Sequence, residues 1–269
     1  MVGQALCQSL SEHEIVTFPK WQMNIGNFDQ VKKIRDIDFI VHLAGETDHE
    51  YCEANPTNCY YINTIATGNL ARLARDRDIP ILYLSTASVF DGKKEMPYTM
   101  YEEPNPINHY NASKWYGEKM VSPNSKHFIY RAGWMFGGGK CIDKKFVQKV
   151  FDKLERGHSE IKVCDDCIGS PTYTNDLALM IKEAISGNLS SGTYHAVNSC
   201  GGVSRYEVAL KMIEFLGSDC EIIPCKIDDL KSEFPCKRTN YEVLTPSFPW
   251  VQTWEQALEG YINAHYKHL

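Results

Sequence analysis

ILYLSTASVFDG, residues 81–92, is the stretch on which the fold turns. It begins as a short, nearly continuous apolar run, the composition of a strand buried on both faces. It ends in two hydroxyls, Ser85 and Thr86, where such a strand would emerge. A strand of this kind needs parallel neighbours beside it and helices over it. The flanking sequence supplies both. Apolar runs at EIVTF (14–18), DFIVHLAG (38–45), HFIYRAGWMF (127–136) and TYHAVN (193–198) alternate with helical patterns. That alternation predicts an α/β fold with a doubly wound parallel sheet.

The helices announce themselves by period and by caps. Val2, Ala5, Leu6 and Leu10 recur at helical spacing behind Met1. Ile62, Ile65, Ala66, Leu70, Leu73 and Ala74 form an apolar stripe within 56–77. Another helix is expected to start near Tyr110, and Asn175 or Asp176 to cap LALMIKEAI. Ser204 with Glu207, and Thr253 with Gln256, have capping-box spacing, and Gly217 stands where the first of these two helices should stop. The proline-bearing stretch 218–250 reads as irregular and suited to covering a site.

At 269 residues the chain has room for one large domain or a domain with a smaller lobe. A net charge of −6 argues against nucleic acid or an anionic membrane surface as the main partner. No apolar run has the length of a membrane span, and Met1 leads into an amphipathic helix in place of a secretory signal. The ten cysteines show no framework and read as reduced thiols, which favours a cytoplasmic location. Cys164 and Cys167 have metal-ligand spacing, but a zinc site needs a second such pair, so no metal is expected. Cys164 is expected to end a strand, with Cys167 in the loop after it.

HYNASKWYGEK (109–119) carries the chemistry. Tyr110 and Lys114 are four apart, so both leave one face of a helix. A tyrosine hydroxyl has an ordinary pKa of about 10, and a nearby ammonium makes its proton transfer easier. Thr86, at the carboxyl end of its strand, lies where open α/β sheets bind ligands.

In their order along the chain, DFIVHLAGETDHEYCEANP, INTIATGNLARLA, LYLSTASVFDG, PINHYNASKWYGEK, RAGWMFGGG, IGSPTYTNDLA and WEQALEGYI resemble the dTDP-4-dehydrorhamnose reductase family of extended short-chain dehydrogenases/reductases. The resemblance spans essentially the whole chain and implies an NADPH-dependent reduction of the C4 keto group of a nucleotide-linked 4-keto-6-deoxy sugar, in deoxysugar and polysaccharide biosynthesis. NADP is the implied cofactor, with NAD as the alternative. Thr86, Tyr110 and Lys114 become the catalytic set, and Trp134 the tryptophan presented to the sugar alongside Thr86. Gly3, Leu43, Ala44, Gly45, Ser85, Tyr110 and Lys114 become the cofactor contacts, with Ser85 also an understudy to Thr86. Residues 1–140 are then the dinucleotide-binding domain. Residues 141–269 form mainly a substrate lobe, with 165–200 returning to the Rossmann-like sheet. Related reductases pair, so a homodimer is an assembly the resemblance allows.

Departures from the family bear on both ligands. Family members begin with a strand and a Gly-x-x-Gly-x-x-Gly turn whose last glycine aligns with Gly3, so about ten residues are expected to be missing ahead of it. Met1 is accordingly expected to be an internal methionine. Asn24 stands where the family usually has an acid near the adenine, and Lys20 leans towards NADP. Ala87 and Ser88 replace an acid and a tyrosine of the family's STDYVFDG, and Lys237-Arg238-Thr239 stands where it has a basic-proline pair. Two alternatives stay open: a sugar-nucleotide epimerase or dehydratase, and a catalytically silent regulatory or binding subunit of the same fold.

Overall fold

The computed structural model describes residues 1–266 apart from Lys20, Cys200, Lys231 and Glu233. Four parallel strands form the main sheet in the order Ile40–His42, Ile81–Thr86, His127–Ala132 and Gly192–His195. Side chains alternate across this sheet, so each strand contributes to two cores. Leu82, Leu84, Phe128 and Tyr130 face one layer, which holds the helices Val2–Ser9 and Thr174–Ile185. Ile81, Tyr83 and Ile129 face the other, with Leu70, Leu73 and Ala74 of the helix Ala66–Asp76. This is the mixed α/β, doubly wound arrangement expected from 81–92.

A third core lies beyond the sheet, where Phe136, Phe151, Val208, Met212, Trp254 and Tyr261 pack together. Short strands frame it. Trp134–Phe136 pairs with Pro171–Tyr173, Glu160–Cys164 with Glu221–Cys225, and Ile168–Gly169 lies between Tyr241–Glu242 and Val203–Ser204. Cys164 ends its strand and Cys167 lies in the loop after it, as read from the sequence. Both capping boxes form, and Gly217 closes its helix at φ 63°, a left-handed conformation that glycine adopts at little cost.

Several expectations need correction. Residues 14–18 form no strand, and Ile15, Val16 and Phe18 are exposed. A strand exists only through pairing: Ile40–His42 bonds to Ile81–Tyr83 on one side, and no described strand lies on its other side. HFIYRAGWMF is two strands, because the chain breaks at Gly133 to pass Ser170, whose carbonyl oxygen would lie 1.8 Å from an added Cβ. The helix at 174 starts without a side-chain cap, and Asp176 sits inside its first turn. The stretch 218–250 holds the strands Glu221–Cys225 and Tyr241–Glu242 and is less irregular than its prolines suggest. Lys20 falls outside the described residues.

The helix His109–Val121 is locked onto the sheet by two contacts. Gly117 allows close approach: an added Cβ would meet the Tyr83 hydroxyl at 2.4 Å and the Asn63 carbonyl oxygen at 2.7 Å. One residue on, Glu118 takes hydrogen bonds from Arg131 Nε at 3.1 Å, Arg131 Nη2 at 2.8 Å and Ser85 Oγ at 2.5 Å. The Arg131 and Glu118 side chains are only 5% and 6% exposed. Removing one partner of such a pair strands the other charge in the interior. Glu118→Ala should therefore cost about 3–5 kcal/mol, read as a lowered urea midpoint. A loss below about 1 kcal/mol, the range of an exposed pair, would contradict the buried lock.

Candidate active site

Asn108 opens the helix by accepting a hydrogen bond from Asn111 N, and the helix then crosses the carboxyl end of Ile81–Thr86. Tyr110, Lys114 and Glu118 lie at intervals of four on one face. Each meets a different residue of that strand. The Tyr110 phenol meets the Thr86 hydroxyl, whose influence lowers its pKa. Lys114 Nζ donates to Leu84 O at 2.6 Å and lies 4.2 Å from the Tyr83 ring centroid. Ser85, pointing to the opposite face from Thr86, gives its hydroxyl to Glu118. The structure thus brings Thr86, Tyr110 and Lys114 together and commits the Ser85 hydroxyl to Glu118.

Burial dominates the acid–base properties of the set. It raises the Tyr110 pKa above the ordinary tyrosine value, with Glu242, Cys52 and Cys59 adding to the rise and the Thr86 hydroxyl opposing it. Burial also brings the Lys114 pKa down to about 7, against the opposing pull of Glu118 and Cys59. The ammonium was expected to draw the phenol down. With its Nζ on Leu84 O, desolvation outweighs that influence, and the phenol keeps its proton. His49 lies against Tyr110 with ring centroids 4.3 Å apart and the planes tilted by 42°. Burial, then the nearby cations Arg238, Lys145 and Arg205, hold its pKa near 3, so it is neutral.

Beside this set runs a chain of polar contacts that the sequence did not announce. Thr86 accepts from Ser88 N at 3.2 Å, capping the single turn Ala87–Val89, and its hydroxyl donates to Ser88 Oγ at 3.3 Å. Ser88 Oγ donates to Glu242 Oε1 at 2.5 Å, and Trp134 Nε1 donates to Glu242 Oε2 at 2.8 Å. Arg205 covers the Trp134 ring at 4.2 Å. Asn63 was also missed. It lies in a π-helical turn, Tyr61–Ile65, a wider coil that recurs at functional sites. Its side chain accepts from Glu46 N at 2.8 Å and donates to Glu46 O at 3.0 Å, clamping the loop after Ile40–His42. Its place inside an apolar helical stripe was the available signal.

The residues at the strand ends suit an anionic dinucleotide. Ala44 and Gly45 are exposed just beyond Ile40–His42. A Cβ on Gly45 would meet Asn63 Oδ1 at 3.0 Å and Lys114 Nζ at 3.7 Å, so a side chain there would crowd the groove. Gly3 stands in the first turn of Val2–Ser9, whose N-cap Met1 makes no side-chain hydrogen bond to the helix. Leu43 packs against the same core as that helix. Small residues and a buried cation fit such a ligand.

A Tyr-x-x-x-Lys helix laid across the carboxyl ends of a parallel sheet defines a Rossmann-like protein of the dehydrogenase/reductase kind. The chain belongs to the RmlD substrate binding domain family, whose model matches residues 1–265. It is 29% identical to the dTDP-4-dehydrorhamnose reductase of Mycolicibacterium smegmatis, over 98% of this chain and 84% of that protein. It is 31% identical to the spore coat polysaccharide biosynthesis protein SpsK of Bacillus subtilis, over 97% of this chain and 93% of the relative. Among solved structures, the dTDP-4-dehydrorhamnose reductase of Bacillus anthracis in complex with NADP superposes with a TM-score of 0.90 at 31% identity, covering 98% and 95% of the two chains.

The lowered pKa of Lys114 has a testable sign. Between about 7 and the ordinary 10.5 the unfolded chain binds the proton that the folded chain has released, so folded stability rises with pH across that window. Lys114→Met has no such gain. In melts without added nucleotide, the stability difference should shift in favour of the parent from pH 7 towards pH 10. A difference independent of pH would contradict the buried position of the ammonium.

Proposed function

We propose that this chain reduces the C4 keto group of a nucleotide-linked 4-keto-6-deoxy sugar, with Thr86, Tyr110 and Lys114 as its catalytic residues. The observation that carries the reading is the buried Tyr110 phenol, beside the Thr86 hydroxyl and one helical turn from Lys114 at the open end of the sheet. NADPH, or NADH as the alternative, supplies the hydride when bound.

The protein's part is to orient and to move one proton. Tyr110, kept protonated by burial, donates its hydroxyl proton to the C4 oxygen as negative charge develops there. Thr86 orients the keto oxygen beside the phenol. Lys114 offsets the charge left on the phenolate and holds the ribose next to the nicotinamide. Its pKa near 7 lets it carry either charge state near neutral pH. Leu43, Ala44, Gly45 and Gly3 line the dinucleotide, and Trp134 forms one wall of the sugar site. In this reading residues 1–140 bind the dinucleotide and 141–269 mainly the sugar nucleotide, with 165–200 returning to the sheet. A cytoplasmic homodimer goes with the reading on the family's account alone.

Tyr110→Phe removes the proton and little else. It should lower turnover of NADPH with a nucleotide-linked 4-keto-6-deoxy sugar by about 10²–10⁴-fold. NADPH binding, followed by nicotinamide fluorescence, should persist. Full turnover in the variant would sink the proposal. Absent binding in the parent would overturn the cofactor assignment separately.

A further inference from the structure

Glu242 is a carboxylate only 8% exposed, 154 residues from Ser88 and 108 from Trp134 in the chain, yet both of its oxygens end on them. We propose that Glu242 is a positioning residue of the keto-sugar site: by accepting from Ser88 and Trp134 at once, it sets the polarity of the Thr86 hydroxyl and the plane of the Trp134 indole. The proposal rests on the reductase reading of Thr86 and Tyr110 given above.

The polarity follows from counting protons. Both Glu242 oxygens act as acceptors, and an indole N–H only donates. Ser88 has one hydroxyl proton, and it goes to Glu242 Oε1 at 2.5 Å. Ser88 Oγ can then only accept from Thr86, at 3.3 Å. Thr86 Oγ1 also accepts from Ser88 N at 3.2 Å. The hydroxyls of Thr86 and Ser88 therefore both point towards Glu242.

The indole is fixed by the same carboxylate and by its surroundings. Glu242 pairs in register with Gly169, and a Cβ on Gly169 would strike the Trp134 ring at 2.5 Å. Arg205 covers the ring at 4.2 Å. With the ring hemmed in by Gly169 and Arg205, the hydrogen bond from its Nε1 decides its remaining rotation. A glutamine at 242 has the same shape but one acceptor oxygen and one NH₂. It cannot accept from both donors. Either Trp134 loses its acceptor, or Ser88 reverses to accept from the amide and the whole series reverses with it.

The test compares Glu242→Gln with the parent in two readouts. In ¹⁵N-tryptophan-labelled protein, the Trp134 indole signal is assigned by its loss in Trp134→Phe. We expect it to move upfield in Glu242→Gln while the remaining indole signals stay in place, which also reports an intact fold. In steady-state reduction, kcat should fall and KM rise, each by on the order of tenfold, because both the keto-orienting hydroxyl and the sugar wall are displaced. An unmoved Trp134 signal, or an unchanged KM with kcat lowered only by loss of folded protein, would overturn the proposal. If the parent reduces no keto sugar, the reductase reading fails on its own, and the indole shift alone decides whether Glu242 holds Trp134.

Discussion

The close crossing of the helix His109–Val121 over the strand Ile81–Thr86 is the constraint on which the site depends. It is possible only because residue 117 has no side chain: with any Cβ there, Tyr83 and Asn63 would have to move. Glu118 then ties the crossing to two strands, through Ser85 on one and Arg131 on the other. Once that distance and rotation are set, Tyr110 falls beside Thr86 and Lys114 beside Leu84 without further adjustment. Tyr110, Lys114 and Glu118 share one helical face at intervals of four residues.

That placement sets two electrostatic effects against each other. A lysine near a tyrosine favours the phenolate, whereas burial favours both neutral forms. Here burial is the largest influence on each group, and they move in opposite directions: the phenol up, the ammonium down to about 7. The result suits proton donation, since the phenol is held neutral until charge appears on an incoming oxygen. The ammonium becomes important when that charge has passed to the tyrosine.

Much of this was legible in the sequence, for identifiable reasons. The strand at 81–86 could be read because burial on both faces leaves an almost purely apolar run. The capping boxes at 204 and 253 are local chemistry and formed as spaced. What failed depends on partners far along the chain. EIVTF has strand composition but no ladder among the described residues. Ser85 looked equivalent to Thr86 until alternation along the strand sent it to Glu118. Glu242 gave no signal at all, because an acid in an irregular, proline-bearing stretch ordinarily faces water. Only the pairing of Tyr241–Glu242 with Ile168–Gly169 carries it under Trp134.

Reduction of a keto sugar moves a hydride to the sugar carbon and a proton to its oxygen. Isotope transfer tests it most directly. The chain is incubated with NADPH bearing deuterium at the transferable nicotinamide position and a nucleotide-linked 4-keto-6-deoxy sugar, and the sugar product is examined by mass spectrometry and NMR. Direct hydride transfer gives a product one mass unit heavier, with the label at C4 and stoichiometric loss of NADPH. An unlabelled product with NADPH unconsumed, as an epimerase or dehydratase that regenerates its own cofactor would give, would contradict it.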